Sequence, residues 1–256
     1  MNLAEKNKAR WDAMHIPSDK GPVFKAVADR LLFQKPRYEA VAKALKEKGY
    51  NIPWEFIAVT HQREASGDFT KYLGNGQPLN KKTTIVPKGR GPFTSWEEGA
   101  IDALVYAPPY AAKNKDWTVG GTLAKLEEYN GLGYAAKGVP SPYLWAGTDQ
   151  YVKGKYVADH VYDPNHVDTQ LGCAGLLKFL GYGTMVKTPV AVTAGTGAAV
   201  VVGGGAAALS NQTVWDHVMN HAWAYGITAG LITLFVALVI YAHKNKGELS
   251  VKQTLD

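Results

Sequence analysis

His61-Gln62-Arg63-Glu64-Ala65-Ser66-Gly67-Asp68-Phe69 is the stretch on which the reading of this 256-residue chain turns. It closes a helical run that begins near Pro53, since proline is tolerated in the first turn of a helix, where its missing N–H has no partner anyway. Across 53–65, Trp54, Ile57, Ala58, His61, Glu64 and Ala65 recur at spacings of three and four and so share one face. Glu64 therefore ends an apolar stripe, and Ser66-Gly67 breaks the helix just behind it. Partial burial disfavours the charged form of a carboxylate and raises its pKa, which a general acid working near neutrality needs. The plainer alternative is a solvated glutamate at a helix end.

The segments around this helix read as its support. Residues 1–20 are polar and mixed, a loose arm or short helix. A helix is expected over 23–32, and a second over 38–48, with Val41, Ala42 and Leu45 inward and Gly49 just past its end. Downstream, 72–79 is turn-rich, 83–87 is β-prone and 88–92 turns again, which fits a small hairpin or three-stranded sheet. Ser95-Trp96-Glu97-Glu98 is a capping-box signature opening a helix to Tyr106. Further helices are expected over 117–129 and 168–180, and 131–148 is punctuated by glycine and proline. The fold class is α+β, mainly helical.

With 46% hydrophobic and 20% charged residues, the chain can bury one good-sized core and carry an appendage. Its net charge of +6 suits an anionic partner such as a wall polymer or membrane surface. The basic residues are scattered, with Lys81-Lys82 the one adjacent pair, and no groove-reading motif accompanies them, so nucleic acid is a poor fit. The single cysteine, Cys173, excludes an internal disulfide framework, and its small neighbours suggest a buried thiol. The histidines lack metal-ligand spacing, and no cofactor motif is present. Residues around Glu5, Lys6, Lys8, Arg10 and Asp12 contain no apolar run of the signal-peptide kind.

The far end differs. Residues 223–242 are twenty without a charge, rich in Leu, Ile, Val and Phe, enough to span a bilayer, with Trp223, Tyr225 and Tyr241 near the ends. The basic tail 243–256 begins His243-Lys244-Asn245-Lys246 and argues for a cytoplasmic C-terminus. Between them and the soluble domain, 1–180, lies the Gly/Ala-rich segment 181–222. It reads either as a flexible linker or as a weak first membrane segment, making a transmembrane hairpin with 223–242.

Two motifs carry a resemblance. Arg63-Glu64-Ala65-Ser66 resembles the catalytic-helix end of goose-type lysozymes and lytic transglycosylases, and Tyr129-Asn130-Gly131 resembles the segment those folds set across the sugar cleft. The run from His61 to Cys173 is similar to a bacterial and phage family described as "lysozyme family protein". Matching segments include Trp96-Glu97-Glu98, Ser141-Pro142-Tyr143-Leu144-Trp145 and Gly154-Lys155-Tyr156-Val157-Ala158-Asp159. The resemblance implies a lysozyme-like fold, peptidoglycan as substrate and Glu64 as the general acid.

Around that acid, Tyr129, Asn130, Tyr134, Tyr143, Trp145 and Tyr151 are the candidates for lining a glycan cleft, and His61 for orienting the carboxylate. Each also has an ordinary packing or capping role open to it. No second carboxylate is defined: Asp68 lies four residues on, Glu98 and Asp102 are on the next helix, and Thr83 or Thr84 are the other polar candidates. Hydrolysis and formation of a 1,6-anhydro product both stay open. The leading expectation is a phage-type endolysin, made in the host cytoplasm, associated with the inner membrane through its C-terminus and acting on the periplasmic cell wall, with a separate holin as a further partner. A non-catalytic wall-binding or holin-like membrane-lesion protein is the alternative, and a virion-tail component a third.

Overall fold

The computed structural model describes residues 1–158 and 160–183. The expected linker or first membrane segment, the 223–242 span and the basic tail fall almost wholly outside these residues. Among the described residues no helix is long and apolar enough to cross a membrane.

Helices dominate. α1 (Leu3–Ala13), α2 (Gly21–Phe33), α3 (Lys35–Glu47) and α4 (Trp54–Ala65) come first, followed by a long loop and α5 (Trp96–Val105). After a 3₁₀ turn at Ala111–Lys113 come α6 (Val119–Tyr129), the short α7 (Gly133–Lys137) and α8 (Pro142–Trp145). A two-stranded antiparallel hairpin, β1 (Lys155–Ala158) and β2 (Val161–Asp163), precedes α9 (Cys173–Phe179). Its register pairs Tyr156 with Tyr162, and a bulge follows before Ala158 meets Val161.

α4 is the hub. Phe56, Ile57, Ala58, Val59, Thr60, His61 and Ala65 are all buried, so the helix is enclosed nearly all round rather than along one stripe. It packs against α3, α6 and α9. Pro53 sits one position earlier than a first-turn proline, as the N-cap in extended backbone. The N-terminal segment is a regular helix: Asn2 and Glu5 form a reciprocal capping box, and α1 lies against α6. Residues 168–172 are not helical. α9 starts only at Cys173, because the Asp168 side chain is engaged in ion pairs and Gly172 serves as the N-cap.

The sheet lies elsewhere than the sequence suggested. Over 72–90 the described backbone has one isolated bridge, Lys71 to Pro78, and no strand. The main chain keeps a few cross-loop bonds, among them Thr83 N–H to the Arg90 carbonyl, and side chains supply much of the rest. Thr83 Oγ1 donates to the Pro87 carbonyl and accepts from the Arg90 N–H, while Gln77 Oε1 accepts from the N–H groups of Thr84 and Ile85. Such local side-chain bonds compete directly with strand pairing. The true hairpin at 155–163 is held from behind by the Tyr134 hydroxyl, which accepts from the Tyr156 N–H at 2.9 Å.

α9 crosses α8 so closely that a Cβ on Gly172 would fall on the Leu144 carbonyl group. Backbone on both sides leaves no room to yield. Gly172→Ala is therefore expected to destabilise the protein by about 1–3 kcal/mol, the range for overpacking a core, read as a lower midpoint of urea unfolding. An unchanged midpoint would show the crossing to be looser than described.

Candidate functional site

The last turn of α4 carries Glu64 to the edge of the core. Ser66 ends the helix in the left-handed conformation (φ 56°), and Gly67 follows at φ 73°. Both donate their N–H to the His61 carbonyl, so the chain turns away just past the carboxylate. The 72–79 loop folds back against this end: a Cβ on Gly76 would come within 2.6 Å of the Glu64 carbonyl oxygen.

Glu64 is half-buried. The Tyr143 hydroxyl, from the first turn of α8, donates to its Oε1 at 2.8 Å. Burial pushes the Glu64 pKa up to about 7, against the opposing pull of the Tyr143 hydrogen bond and the Arg63 charge. The Tyr129 hydroxyl lies near enough to feel the Glu64 charge and is buried with no hydrogen-bond partner among the described residues. Orphan buried hydroxyls are uncommon and call for an explanation. Here one lies within electrostatic reach of a carboxyl group poised to hold a proton at neutral pH.

Arg63 points to the other side and organises it. Its guanidinium is almost fully buried, donates to the Gln170 carbonyl at 2.8 Å and pairs with Asp168. Asp168 also meets the Lys155 ammonium at 3.2 Å, which ties the β-hairpin to the same point. A cavity of about 290 Å³ opens here, lined by Arg63, Asn130, Tyr134, Lys155, Tyr156 and Asp168. Glu64 itself does not line it; Arg63 and Pro142, the neighbours of Glu64 and Tyr143, do.

Of the residues singled out in the sequence, Glu64, Tyr143 and Tyr129 come together, and Asn130 lies on the adjoining cavity with its Nδ2 donating to Ser141 Oγ at 3.3 Å. Tyr143 meets the carboxylate rather than solvent. Tyr134 lines that cavity too; the others are placed differently. His61 is fully buried, with Tyr38 on Nδ1 (3.0 Å) and the Asp68 carbonyl on Nε2 (3.1 Å), so neither ring nitrogen is left for Glu64. Burial holds its pKa down to about 4, leaving a neutral packed imidazole.

Trp145 is 1% exposed and offers no face to a sugar. Tyr151 is buried, its hydroxyl donating to the Gly154 carbonyl and accepting from the Asp168 N–H. Asp68 turns its carboxylate onto the N–H and hydroxyl of Thr70, which hold its pKa below the usual range. Thr83 and Thr84 staple their own loop.

Arg63, Asp168, Lys155 and Gln170 are the residues that sequence reasoning passed over. Arg63 stood inside the quoted motif, but its partner lies 105 positions away, a pairing with no local signature. Burial pushes the Cys173 thiol up to about 12, as suits a packed rather than a reactive sulfur. Among the described residues no group of three His, Cys, Asp or Glu side chains is arranged to hold a metal ion. Comparison with protein-family models, with curated proteins and with solved structures gives no match.

A carboxyl group whose pKa is raised by folding weakens the fold as the pH climbs. Below about pH 4.5 both states are protonated, and between there and about 7 only the folded state keeps the proton. At about 1.36 kcal/mol per pH unit the penalty approaches roughly 3 kcal/mol above pH 7, less what residual solvent exposure removes. Glu64→Gln, which cannot ionise, is therefore expected to be more stable than the native protein by about 1–3 kcal/mol at pH 8 and equal to it at pH 4. Urea titrations at the two pH values measure this, and equality at pH 8 would mean that the carboxylate is well solvated.

Proposed function

We propose that this domain is a peptidoglycan-degrading glycosidase of lysozyme-like type, cleaving the β-1,4 bond between the alternating amino sugars with Glu64 as general acid. The observation that carries the reading is the carboxyl group itself, half-buried at a helix end, raised to about 7, with one oxygen occupied by Tyr143. With Oε1 accepting from Tyr143, the proton resides on Oε2 and is available to a leaving glycosidic oxygen. The adjoining cavity beside Arg63 and Asn130 offers polar groups to a sugar.

The carboxylates singled out in the sequence bear on which glycosidase this is. A hydrolase uses a second carboxylate at about 5–5.5 Å from the first (retaining) or about 6.5–9.5 Å (inverting). Asp68 is bonded to Thr70, Glu98 to the Thr94 N–H and hydroxyl, and Asp102 to Arg90 and Tyr72. We take lytic transglycosylation, which uses no second carboxylate, as the route to test. Glu64 would give its proton to the leaving oxygen as the C1–O bond breaks. The substrate's own C6 hydroxyl would then attack C1, returning its proton to Glu64 and closing a 1,6-anhydro ring. The apolar 223–242 segment supports a membrane-associated location beside the wall, with a separate holin as partner.

Mass spectrometry of muropeptides released by the full-length protein tests both points. Products ending in a 1,6-anhydro ring are expected, and reducing ends would mark a hydrolase. Glu64→Gln is expected to lower release about 10²–10⁴-fold, the usual worth of a positioned acid, and unaltered release would remove Glu64 from the chemistry. Because the acid must be protonated, the native rate is expected to fall as the pH rises through about 7. Tyr143→Phe deletes the hydrogen bond that favours the ionised form, so the alkaline limb of its profile should move upward. An unmoved limb would sever Tyr143 from the acid.

A further inference from the structure

A second, larger cavity, of about 610 Å³, is walled by α1, α6, α7 and the turn that follows α7. Its size suits a small ligand. Glu127 lines it and is 3% exposed, and Asn7, equally buried, donates its Nδ2 to Glu127 Oε2 at 2.8 Å. Among the described residues nothing hydrogen-bonds the other oxygen, Oε1, and it is not one of the sealed unpartnered atoms. The carboxylate therefore presents a free acceptor to the cavity.

Lys6 and Arg10 stand on the α1 side of the lining, and among the described residues neither forms an ion pair. A carboxylate buried without an ion pair is costly, and a neutral amide would tether α1 to α6 equally well. The Arg10 charge favours the ionised form of Glu127 without closing an ion pair on it, which leaves the carboxylate room for a second cation.

The remaining walls are aliphatic, from Leu132, Val139 and Pro140. Trp145 also borders the cavity but is too buried to offer a stacking face, which argues against a sugar ring. An acceptor in the lining, unpaired cations beside it and aliphatic sides describe a ligand with an ammonium, a carboxylate and a short hydrocarbon. The cavity also shares a wall with the one beside Arg63: Gly133 and Tyr134 line the smaller, Ala135 and Ala136 the larger, and the Asn130–Ser141 bond joins the two linings.

We propose that this cavity holds the zwitterionic amino-acid end of the wall's stem peptide, with the ammonium on Glu127, the carboxylate on Lys6 and Arg10, and the aliphatic part against Leu132, Val139 and Pro140. The peptide identity rests on the peptidoglycan reading above, because the stem branches from the glycan that the neighbouring cavity would take. The pocket's charge pattern stands apart from that reading.

Calorimetric titration of the full-length protein with the stem tripeptide L-Ala-γ-D-Glu-diaminopimelate tests the proposal, alongside the same peptide N-acetylated on every amine and free dialanine. The tripeptide is expected to bind, and acetylation to weaken it at least tenfold. Glu127→Gln keeps an acceptor for Asn7 and removes a buried charge, so its unfolding midpoint should hold or rise while tripeptide affinity falls at least tenfold. The double variant K6Q/R10Q, on the α1 side of the lining, should lose affinity similarly. No binding by the native protein, indifference to acetylation, or native affinity in both variants would overturn the site. Dialanine binding as tightly as the tripeptide would overturn the stem peptide as its ligand. Glu64→Gln should bind the tripeptide like the native protein. Muropeptide release without tripeptide binding sinks this inference alone, and binding without release sinks the enzymatic reading alone.

Discussion

A buried guanidinium holds the functional end of this molecule together. Arg63, in the last turn of α4, reaches across to Asp168 and to the carbonyl groups of Gln170 and Leu171, and Asp168 in turn holds Lys155 of the β-hairpin. Two stretches of chain about a hundred positions away from α4 meet it through this one ion pair. Removing one partner of such a pair leaves an uncompensated buried charge, a penalty of about 3–5 kcal/mol. The convergence therefore resists local opening, and Glu64, the next residue along, inherits that rigidity.

The same enclosure sets the chemistry of Glu64. α4 is surrounded by core on nearly every side, and the water missing from around the carboxyl group raises its pKa to about 7. Tyr143 and Arg63 pull the other way, and burial outweighs both. On the proposed reading stability and reactivity are opposed, because the desolvation that would ready the acid weakens the fold at neutral and alkaline pH. The unpartnered hydroxyl of Tyr129 is a second strain of the same kind, a polar group kept dry within electrostatic reach of Glu64.

Some of this was legible in the residues. The helix ending at Ser66-Gly67, the Ser95 cap and the packing helices α2 and α3 rest on periodicity and capping within a few residues of one another, and the structure has them. Even the departures at this level are small. Glu98 reaches Thr94 rather than the Ser95 backbone, and Pro53 caps α4 instead of beginning it. The strand-prone 83–87 stretch was misleading because Thr83 and Gln77 spend their hydrogen bonds on the loop's own backbone. Propensity reports a residue's average habit, whereas this loop is decided by specific side-chain partners.

By itself the sequence determined that Glu64 would stand at a helix end, behind an apolar face and just before the break at Ser66-Gly67. Helix period, capping and glycine preference act over a handful of residues and can be read directly. Only the tertiary structure decided that Tyr143 would donate to that carboxyl group, that His61 and Trp145 would be sealed in the core, and that Arg63 would find Asp168. The Tyr143 and Arg63 pairings span 79 and 105 positions, and the rings that seal His61 come from Tyr38 and Trp96 on other helices. Such contacts leave no periodic trace in the chain and come into being only when the helices pack.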